Sequence, residues 1–466
     1  MTRRKDGIQG LKSLVENKRI ALIGLGRTHK PLVSLFLSLG AKSVTARDRK
    51  IAEHPSLVAD GATLVLGDGY LENLSEDIIL RTPAIRPDIP ALNAARENGA
   101  LVTSEMELFL TFCPAKVFAI TGSDGKTTSS TLTAKLLEAS GYRVFLGGNI
   151  GLPLLPVLHE ITKDDAAVLE LSSFQLMGMT VSPEHALITN LSENHLDWHT
   201  DMAEYCEAKT AVFTHQSEDD LLVLNADNAV TRALAGRENG RLRFFSRKEK
   251  VKNGTYCTSD TLRFAEDGNE SPLFAREDIL LPGEHNLENY LAALALTHDF
   301  ITVSAALSVA RSFAGVAHRM ELVREVNKIR FYNSSIDSSP ARSSATLKAF
   351  AKKPIVIMGG YDKHLNYAPL APIITEHVKA LVLTGQTAPK IEKALAEYAE
   401  FAASGIPLLK AEAFADAFAL AAGLAEEGDL VLLSPASASF DQFRDFEERG
   451  EVFRTLVREL EEHENI

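Results

Sequence analysis

The residues with the clearest chemical meaning form the run VFAITGSDGKTT at positions 117–128. An apolar stretch leads into Gly122 and Gly125, and a helical pattern begins at Lys126, so the run predicts a strand, a phosphate-binding loop and a helix. Glycines let the backbone wrap around a phosphate, and the N–H groups at the helix start point toward it. Lys126 adds a positive charge, and the Thr127 hydroxyl is a ligand type for Mg²⁺. We expect a nucleoside triphosphate here. The spacing of the two glycines is shorter than in the common phosphate loop, so an ordinary glycine-rich turn is the alternative.

Other residues could serve the same chemistry. Glu170 ends an apolar strand pattern, so its carboxylate could face the loop and bind Mg²⁺, the alternative being a solvated carboxylate at the rim. His195, in the polar loop after the next strand, could bind a metal or a phosphate oxygen, although a single histidine is more often structural. Lys209 lies on the following helix, and the pattern alone describes a solvated lysine. Asn286 and Asn289 are three residues apart on a predicted helix and could read a nucleobase edge, with capping as the alternative for Asn286.

The composition excludes several classes of protein. The chain has 466 residues, which predicts two or three domains, and its 45% hydrophobic and 24% charged content is ordinary for a globular protein. Its net charge of −13 disfavours nucleic acid as the main partner. Cys113, Cys206 and Cys257 share no metal-binding spacing, so we expect free thiols in a reducing cytoplasm. No run has the length of a transmembrane helix, and no apolar stretch of a signal peptide follows the basic N-terminus.

Apolar β-type runs alternate with helical patterns along almost the whole chain. This alternation favours parallel sheets covered by helices on both faces, in three α/β units. The stretch 249–277 is more polar and predicts a small antiparallel region. The predicted strands are Arg19–Ile23, 116–120, 166–171, 186–189, Leu221–Asn225, 354–358, 380–383 and 429–433.

The first unit opens with an incomplete dinucleotide fingerprint. Gly24 and Gly26 follow a predicted strand, but His29 occupies the position of the third glycine. Asp48 stands at the distance expected of the acidic residue that ends a second strand. A broken fingerprint is weak support for a nicotinamide cofactor. We therefore expect the loop to bind another nucleotide, or only to turn the chain.

These motifs resemble those of the Mur ligases, the ATP-dependent enzymes that build the peptide of bacterial peptidoglycan. The phosphate loop, Asn149 in GGNIG and the HNxxN element at 285–289 are shared, to varying degrees, by Mur ligases and folylpolyglutamate synthetases. Two stretches are more selective, LELSSFQL at 169–176 and SPASASFDQFRDFEERG at 434–450. They resemble the branch of the family that adds D-glutamate to UDP-N-acetylmuramoyl-L-alanine.

The resemblance implies a three-domain α/β architecture and an amide ligase of cytoplasmic peptidoglycan precursor synthesis, and hence a role in cell-wall biogenesis, cell shape and cell division. It implies a Rossmann-like domain for the UDP substrate at 1–101, a central ATP-binding domain at 102–314 and a Rossmann-like domain for the amino acid at 315–466. ATP and Mg²⁺ are the implied cofactors, and UDP-N-acetylmuramoyl-L-alanine and D-glutamate the implied substrates. We expect a monomer that binds no nucleic acid and inserts into no membrane.

The resemblance also assigns roles residue by residue. Lys126, Glu170, His195 and Lys209 are implied to be catalytic, and Thr127, Glu170, His195 and a carbamylated Lys209 to hold magnesium. The remaining assignments concern the three substrates. ATP binding is assigned to Gly122, Ser123, Asp124, Gly125, Lys126, Thr127, Thr128, Asn286, Asn289 and Arg319, UDP-substrate binding to Arg27, Thr28, Asp48, Arg49, Asn149, Ser172 and Gln175, and D-glutamate binding to Ser338, Lys363, Ser439, Phe440 and Phe446.

Some positions depart from the family pattern. Ser334 stands where an aspartate usually helps to hold the nucleotide ribose, and Asp337 nearby is a candidate substitute. Ala84 stands where glycine is usual, and His29 and Lys30 are unusual in the first loop. Arg27 and Lys30 would suit a diphosphate.

Two rival interpretations remain at this level. A folylpolyglutamate synthetase shares the phosphate loop and the ligase chemistry, but that family starts directly with the ATPase domain, so the N-terminal unit argues against it. A catalytically silent sensor of UDP-muramoyl peptides is the rival from another class. Ser334 and Ala84 motivate the sensor, and the intact phosphate and metal residues disfavour it. A measurement of ATP consumption separates these classes.

Overall fold

The computed structural model describes residues 2–151, 153–195, 198–281 and 283–461. The chain divides into two compact units, Met1–Leu280 with Glu284–Ser312, and Leu281–Gly283 with Phe313–Ile466. Both units are α/β, with sheets that are mostly parallel. No helix in the described ranges combines the length and the apolar character needed to cross a membrane.

The first sheet belongs to the first unit and is parallel throughout, with the strand order β3-β2-β1-β4-β5. Successive residues of β1 point to opposite faces, so Ile20 and Leu22 join one buried cluster and Ala21 and Ile23 another. Burial on both faces explains the continuous apolar run. The strands are β1 Arg19–Ile23, β2 Ser43–Asp48, β3 Thr63–Leu66, β4 Ile78–Arg81 and β5 Leu101–Thr103, and the helices are α1 Gly7–Val15, α2 Lys30–Ser38, α3 Pro55–Ala59, α4 Pro90–Glu97 and α5 Glu105–Phe112.

The second sheet, also in the first unit, has the order β14-β13-β12-β11-β10-β9-β6-β8-β7. Its strands are parallel except that β13 pairs antiparallel with β12 and β14. The strands are β6 Lys116–Thr121, β7 Val144–Gly148, β8 Ala166–Glu170, β9 His185–Ile188, β10 Leu221–Asn225, β11 Arg241–Ser246, β12 Gly254–Thr258, β13 Thr261–Glu266 and β14 Asn269–Ala275. The helices are α6 Lys126–Ala139, α7 Ser173–Leu176, α8 Met202–Thr210, α9 Ala229–Arg232, α10 Glu284–Thr297 and α11 Val303–Ser312.

The third sheet lies in the second unit and has the order β15-β16-β20-β17-β18-β19, with an antiparallel pair at β15 and β16. Val356 and Met358 of β17 face one buried cluster, and Ile355 and Ile357 face the other. The strands are β15 Glu321–Val326, β16 Ile329–Asn333, β17 Ile355–Gly359, β18 Ala380–Thr384, β19 Leu408–Lys410 and β20 Leu430–Leu433. The helices are α12 Pro340–Ala349, α13 Leu370–His377, α14 Ala388–Ala396, α15 Ala399–Ser404, α16 Phe414–Gly423 and α17 Phe446–Arg458.

The structure confirms the expectation of α/β architecture with mainly parallel sheets. All eight predicted strands form, and their ends differ from the prediction by at most one residue. The antiparallel region predicted at 249–277 is also confirmed, as β12 to β14. The limits of the three functional domains stay predictions. The predicted limit between the first and second domains, after residue 101, falls within β5.

Candidate active site

The phosphate loop lies between β6 and α6. Gly122 and Gly125 have φ angles of +145° and +77°, which favour glycine. Space gives a second reason, because a Cβ atom at Gly122 would lie 1.9 Å from Thr189 Oγ1 and one at Gly125 would lie 2.5 Å from Asn289 Oδ1. The packing of the loop therefore requires both glycines.

The start of α6 supplies donors for an anion. The first N–H groups of an α-helix have no partner within the helix, and the helix dipole favours negative charge beside them. Here they belong to Lys126, Thr127 and Thr128, which are all partly exposed. The Lys126 ammonium donates to the carbonyl oxygens of Gly122 and Ser123 at 2.9 and 2.8 Å, so it lies over the loop. The predicted strand, loop and helix are confirmed, and their geometry suits a phosphate group.

The backbone N–H groups of Ser123 and Asp124 are hydrogen-bonded to other residues of the protein. Their backbone N–H groups donate to the carbonyl and side-chain oxygens of Asn190, at 2.8 and 3.0 Å respectively. The Ser123 hydroxyl accepts from the Ser192 N–H at 2.9 Å and shares a hydrogen bond with the Tyr205 hydroxyl at 2.8 Å. These two residues brace the loop, and the contacts give no support to their predicted phosphate binding. No motif singled out Asn190 or Tyr205, because their role depends on contacts across the fold.

Glu170 ends β8, where it pairs in register with Ile120 of β6. Its residue surface is only 2% exposed, so the alternative of a solvated rim carboxylate is wrong. Glu170 Oε1 accepts a hydrogen bond from the Asn149 amide at 2.9 Å, whereas Oε2 has no hydrogen-bond partner in the described part of the chain. A buried carboxylate oxygen without a donor suits a cation.

Lys209, on α8, is likewise only 2% exposed, so the solvated lysine that the pattern alone describes is wrong. Its ammonium donates to Thr121 Oγ1 at 3.2 Å and to the Gly122 carbonyl at 2.8 Å, which places it against the phosphate loop. Burial, followed by the charge of Lys126, lowers the pKa of Lys209 well below its ordinary value of 10.5. The neutral amine is therefore much more populated at neutral pH than in a solvated lysine.

His195 lies in the loop that follows β9. It is exposed, has a φ of +55°, and its ring centroid is 4.8 Å from that of Phe174 on α7. The described ranges contain no group of three or more His, Cys, Asp or Glu side chains that could hold a metal. The predicted magnesium residues differ from such a group, since they comprise one hydroxyl, one carboxylate, one imidazole and one modified lysine.

The two asparagines lie on α10, which begins at Glu284. Asn286 is therefore inside the helix, and capping is the wrong alternative for it. Both residues are buried. Asn289 Oδ1 accepts from the Ser129 hydroxyl at 3.1 Å and packs against Gly125. Asn289 thus holds the phosphate loop in place. These contacts do not support the predicted contact between Asn289 and the nucleotide base.

The first sheet presents its candidate residues around the loop after β1. Asp48 ends β2 as predicted, and its carboxylate accepts from the backbone N–H groups of Leu25 at 2.7 Å and Lys50 at 2.8 Å. Arg27 is exposed and Thr28 is partly exposed in this loop. Their positions leave both side chains accessible to a ligand.

Arg49 and His29 occupy different environments in the same region. Arg49 is exposed and lies 3.7 Å from Asp68. His29 is buried, and burial lowers its pKa to about 4, so it is neutral at physiological pH. The unusual histidine of the first loop therefore belongs to the interior.

Ser172 and Gln175 form the capping box of α7. The Ser172 hydroxyl accepts from the Gln175 N–H at 3.3 Å, and Gln175 Oε1 accepts from the Ser172 N–H at 3.0 Å. These bonds fix the helix that directly follows the strand of Glu170. The predicted substrate contacts of both residues stay predictions.

In the second unit, Arg319 is partly exposed and Asp337 is buried. Burial raises the pKa of Asp337. Its carboxylate accepts from the Ser434 hydroxyl at 2.9 Å, and Ser434 and Ser334 are both fully buried. Asp337 is therefore held in the interior by hydroxyl groups, which gives no support to a direct contact with a ribose.

The candidate amino-acid site contains Lys363, which lies in the loop that follows β17 and is exposed. Its ammonium lies 5.4 Å from the ring centroid of Phe440, an aromatic residue that is 56% exposed. Ser439, the residue before Phe440, is buried. Ser338 lies in the loop that follows β16 and is partly buried, and Phe446 is the first residue of α17. The structure thus brings Lys363 and Phe440 together.

Arg449 was missed by the sequence interpretation. It is buried on α17 and donates to the carbonyl oxygens of Ser335, Ala438 and Ser437 at 2.9 to 3.1 Å. Burial lowers its pKa to about 10. Arg449 therefore fixes the segment that ends in Ser439. Residues 441–448 are rich in charged side chains, and this pattern gave no indication that Arg449 would be buried.

A strand, glycine loop and helix that present N–H groups and a lysine to an anion place the chain among the phosphate-loop nucleotide-binding proteins. Comparison with known proteins narrows this class. The Mur ligase middle domain family matches residues 120–297, and the glutamate ligase domain family of Mur ligases matches residues 318–437.

The relatives match over almost their whole length. The UDP-N-acetylmuramoylalanine–D-glutamate ligase of Acetivibrio thermocellus is 48% identical, covering 97% of this chain and 99% of the relative, and that of Clostridium novyi is 46% identical over 96% and 98%. The solved UDP-N-acetylmuramate–alanine ligase MurC of Thermotoga maritima shares the fold, with a TM-score of 0.55, 19% identity and coverage of 95% and 99%. The chain belongs to the Mur ligase family.

Proposed function

We propose that this protein is an ATP-dependent ligase that adds D-glutamate to UDP-N-acetylmuramoyl-L-alanine in peptidoglycan precursor synthesis. The observation that carries the proposal is the near-full-length match, at 48% and 46% identity, to relatives named as ligases of UDP-N-acetylmuramoylalanine and D-glutamate. The phosphate loop, beside buried Glu170 and Lys209, supports the ATP-dependent step.

The phosphate loop would bind the triphosphate. The N–H groups that open α6 would bind phosphate oxygens, and Lys126 would leave its loop carbonyls for the ligand. Thr127, Glu170, His195 and Lys209 would hold magnesium. Such a site is supported by Glu170 Oε2, which has no hydrogen-bond partner among the described residues. Magnesium, when bound, neutralises phosphate charge and orients the transferred phosphoryl group.

Lys209 would act as a carbamate. The neutral amine adds to the carbon of CO₂ and loses a proton, which turns a buried uncharged group into an anion. The lowered pKa of Lys209 supports this step because only the unprotonated amine is a nucleophile. A carbamate here would also complement the positive charge of Lys126.

The reaction needs an activated carboxylate. The terminal carboxylate of the UDP substrate would attack the γ-phosphorus of ATP, giving an acyl phosphate and ADP. Lys126 would stabilise the charge that develops on the phosphoryl oxygens. The unprotonated amine of D-glutamate would then attack the acyl carbon, phosphate would leave, and the nitrogen would lose a proton to give the amide. Protein side chains position the reactants and stabilise charge in this scheme, and none acts as a covalent nucleophile.

The remaining residue assignments concern the binding of the UDP substrate, the nucleotide and D-glutamate. Arg27, Thr28, Asp48 and Arg49 would bind the uridine end. Asn149, Ser172 and Gln175 would lie near the muramoyl-alanine end, and Arg319 near the nucleotide. Lys363 would pair with a D-glutamate carboxylate in a pocket lined by Ser338, Ser439, Phe440 and Phe446.

We further propose domains at 1–101, 102–314 and 315–466, a monomeric state and a cytoplasmic location.

Phosphate release tests the proposal. Purified protein is incubated with ATP, Mg²⁺ and UDP-N-acetylmuramoyl-L-alanine, with D-glutamate or with L-glutamate, D-aspartate or meso-diaminopimelate. We expect release that requires both substrates and is selective for D-glutamate. Release with another amino acid would overturn the proposed specificity. No release from folded protein that still binds ATP would contradict the ligase proposal and favour a sensor.

A further inference from the structure

Residues 81–88, here called the 81–88 segment, connect the first sheet to the loop that contains His195. The segment begins at the end of β4, beside the loop that follows β1, because a Cβ atom at Gly24 would lie 2.5 Å from the Thr82 methyl group. Four residues after Thr82, Arg86 contacts Glu204 on α8. Both sheets concerned belong to the first compact unit.

Arg86 makes two bidentate ion pairs. Its Nη1 and Nη2 donate to the two carboxylate oxygens of Glu204 at 3.1 and 2.6 Å, and its Nε and Nη2 donate to those of Asp88 at 3.0 and 2.9 Å. Nη1 also donates to the Trp198 carbonyl at 3.2 Å, and the guanidinium lies 5.2 Å from the Trp198 ring centroid. The planar fork of arginine suits this set of acceptors, and a lysine could not satisfy it.

The partners of Arg86 hold the backbone near His195. Glu204 accepts from the Thr200 N–H at 2.8 Å and lies 3.4 Å from His199 Nδ1. The other ring nitrogen of His199 shares a hydrogen bond with the Ser173 hydroxyl at 2.9 Å. The contacts therefore run from the 81–88 segment through the start of α8 to α7.

Ring contacts reinforce this arrangement. The Phe174 ring on α7 meets the Trp198 ring edge-on at 4.7 Å and the His195 ring at 4.8 Å. Fixing Trp198 from one side thus limits the positions open to Phe174 and His195. Arg86 and Glu204 are each about one-quarter exposed, so water screens their pair only in part.

Arg81 anchors the other end of the same segment. It is buried and donates to the carbonyl oxygens of Ile85 at 3.0 Å, Phe174 at 3.4 Å and Met177. The 81–88 segment is therefore bonded to α7 by one arginine and to α8 by another. These two helices flank the loop of His195.

We propose that Arg86 is a positioning residue that fixes the His195 loop and the start of α8 for the reaction, acting through Glu204 and the Trp198 carbonyl. Its role in turnover rests on the proposed function, but its effect on the loop does not. The segment lies next to the proposed UDP-substrate site, so Arg86 also ties that site to the helix of Lys209.

The first test is amide hydrogen exchange of ligand-free protein. In Arg86→Met, amides at 198–209 should exchange about tenfold faster than in the unchanged protein, while α6 stays protected. Arg96→Met is the matched control, because Arg96 donates to the Pro87 carbonyl at 2.8 Å in the same segment and is bonded to neither α7 nor α8 in the contacts described. Equal exchange in the two variants would overturn the inference.

Kinetics provide the second test. Arg86→Met should lower kcat about tenfold or more, with little change in KM for D-glutamate, since a small displacement of a catalytic loop is costly. Arg86→Lys should recover only part of this loss. Glu204→Gln should resemble Arg86→Met, and the double variant should be about as slow as either single variant.

The outcomes separate this inference from the proposed function. Faster exchange together with an unchanged kcat would make Arg86 merely structural and overturn its positioning role. If the unchanged protein lacked ligase activity, the proposed function would fail, while the exchange of Arg86→Met compared with that of Arg96→Met would still decide whether Arg86 fixes the loop.

Discussion

Lys209 and Lys363 are both proposed to act in the reaction, yet their side-chain nitrogens have opposite surroundings. Lys209 is 2% exposed, is hydrogen-bonded to Thr121 and Gly122, and lies 4.9 Å from the Tyr205 ring centroid. Lys363 is exposed and lies over the Phe440 ring, which is itself mostly exposed. The first lysine is buried before any ligand arrives, whereas the second is open to water.

The same contrast extends to the two regions around these lysines. Near the phosphate loop, residues such as Ser123, Asn289 and Glu170 have their positions fixed by hydrogen bonds between secondary-structure elements. Preorganised groups can stabilise developing charge without the cost of reorganisation. The Lys363 region instead offers accessible side chains, which suits a site that admits and releases a small amino acid. We therefore expect substitutions in the first region to change kcat and those in the second to change KM.

Lys126→Ala should give the largest effect. The substitution removes the ammonium beside the proposed phosphoryl group, and loss of one such stabilising group lowers the rate by about 10²- to 10³-fold or more. Phosphate release and circular dichroism measure activity and folding. Lys135→Ala is the control, because Lys135 is exposed on the same helix and pairs only with Glu138 in the contacts described. Near-normal activity of soluble Lys126→Ala protein would contradict the assignment.

Lys209→Met should lower turnover by about 10²-fold, since it removes the proposed carbamate. Turnover of the unchanged protein should also fall in CO₂-depleted buffer and recover with bicarbonate. Lys135→Ala again provides the control, and its response to CO₂ should match that of the unchanged protein. Turnover that is insensitive to CO₂ depletion would argue against the carbamate.

The lowered pKa of Lys209 also predicts a pH dependence of stability. Between the folded pKa and the ordinary value of 10.5, the unfolded chain binds a proton that the folded chain lacks. Stability contributed by this group therefore rises with pH across that window. In CO₂-free buffer, the Tm of the unchanged protein minus that of Lys209→Met should increase from pH 7 to pH 9.5. A difference independent of pH would show that the amine is not desolvated as described.

Lys363→Met should act mainly on KM. Loss of a charge-assisted contact to a carboxylate costs about 1.5–3 kcal/mol, or roughly 10- to 100-fold in KM for D-glutamate. The KM for ATP and the melting temperature should change little, because the side chain is exposed. Lys393→Met on α14 is the control, since Lys393 is exposed and pairs with Glu397. A change confined to kcat would break the proposed contrast between the two regions.

Local patterns were sufficient to predict the strands and the phosphate loop, because both depend on residues close in sequence. The run 116–120 is apolar and becomes β6, and the glycines of the loop occur where positive φ angles are needed. Burial of single charged residues could not be predicted in this way. Lys209 resembles any helical lysine until the fold places it against Gly122, and Ser123 resembles a phosphate ligand until the fold places it against Tyr205.

Phe440→Leu should give the smallest effect. The ring is more than half exposed, and it contacts the Lys363 ammonium and, edge-on at 5.8 Å, the ring of Tyr361. A cation–π contact at an exposed site contributes about 0.5–1 kcal/mol, so KM for D-glutamate should rise only about two- to fivefold, with no change in Tm. Phe443→Leu is an informative partner, because Phe443 packs on Phe414 near the core and should lower Tm while sparing KM. If Phe440→Leu lowered Tm as much as Phe443→Leu, the Phe440 ring would contribute to packing. The description of the Lys363 region as accessible would then be wrong.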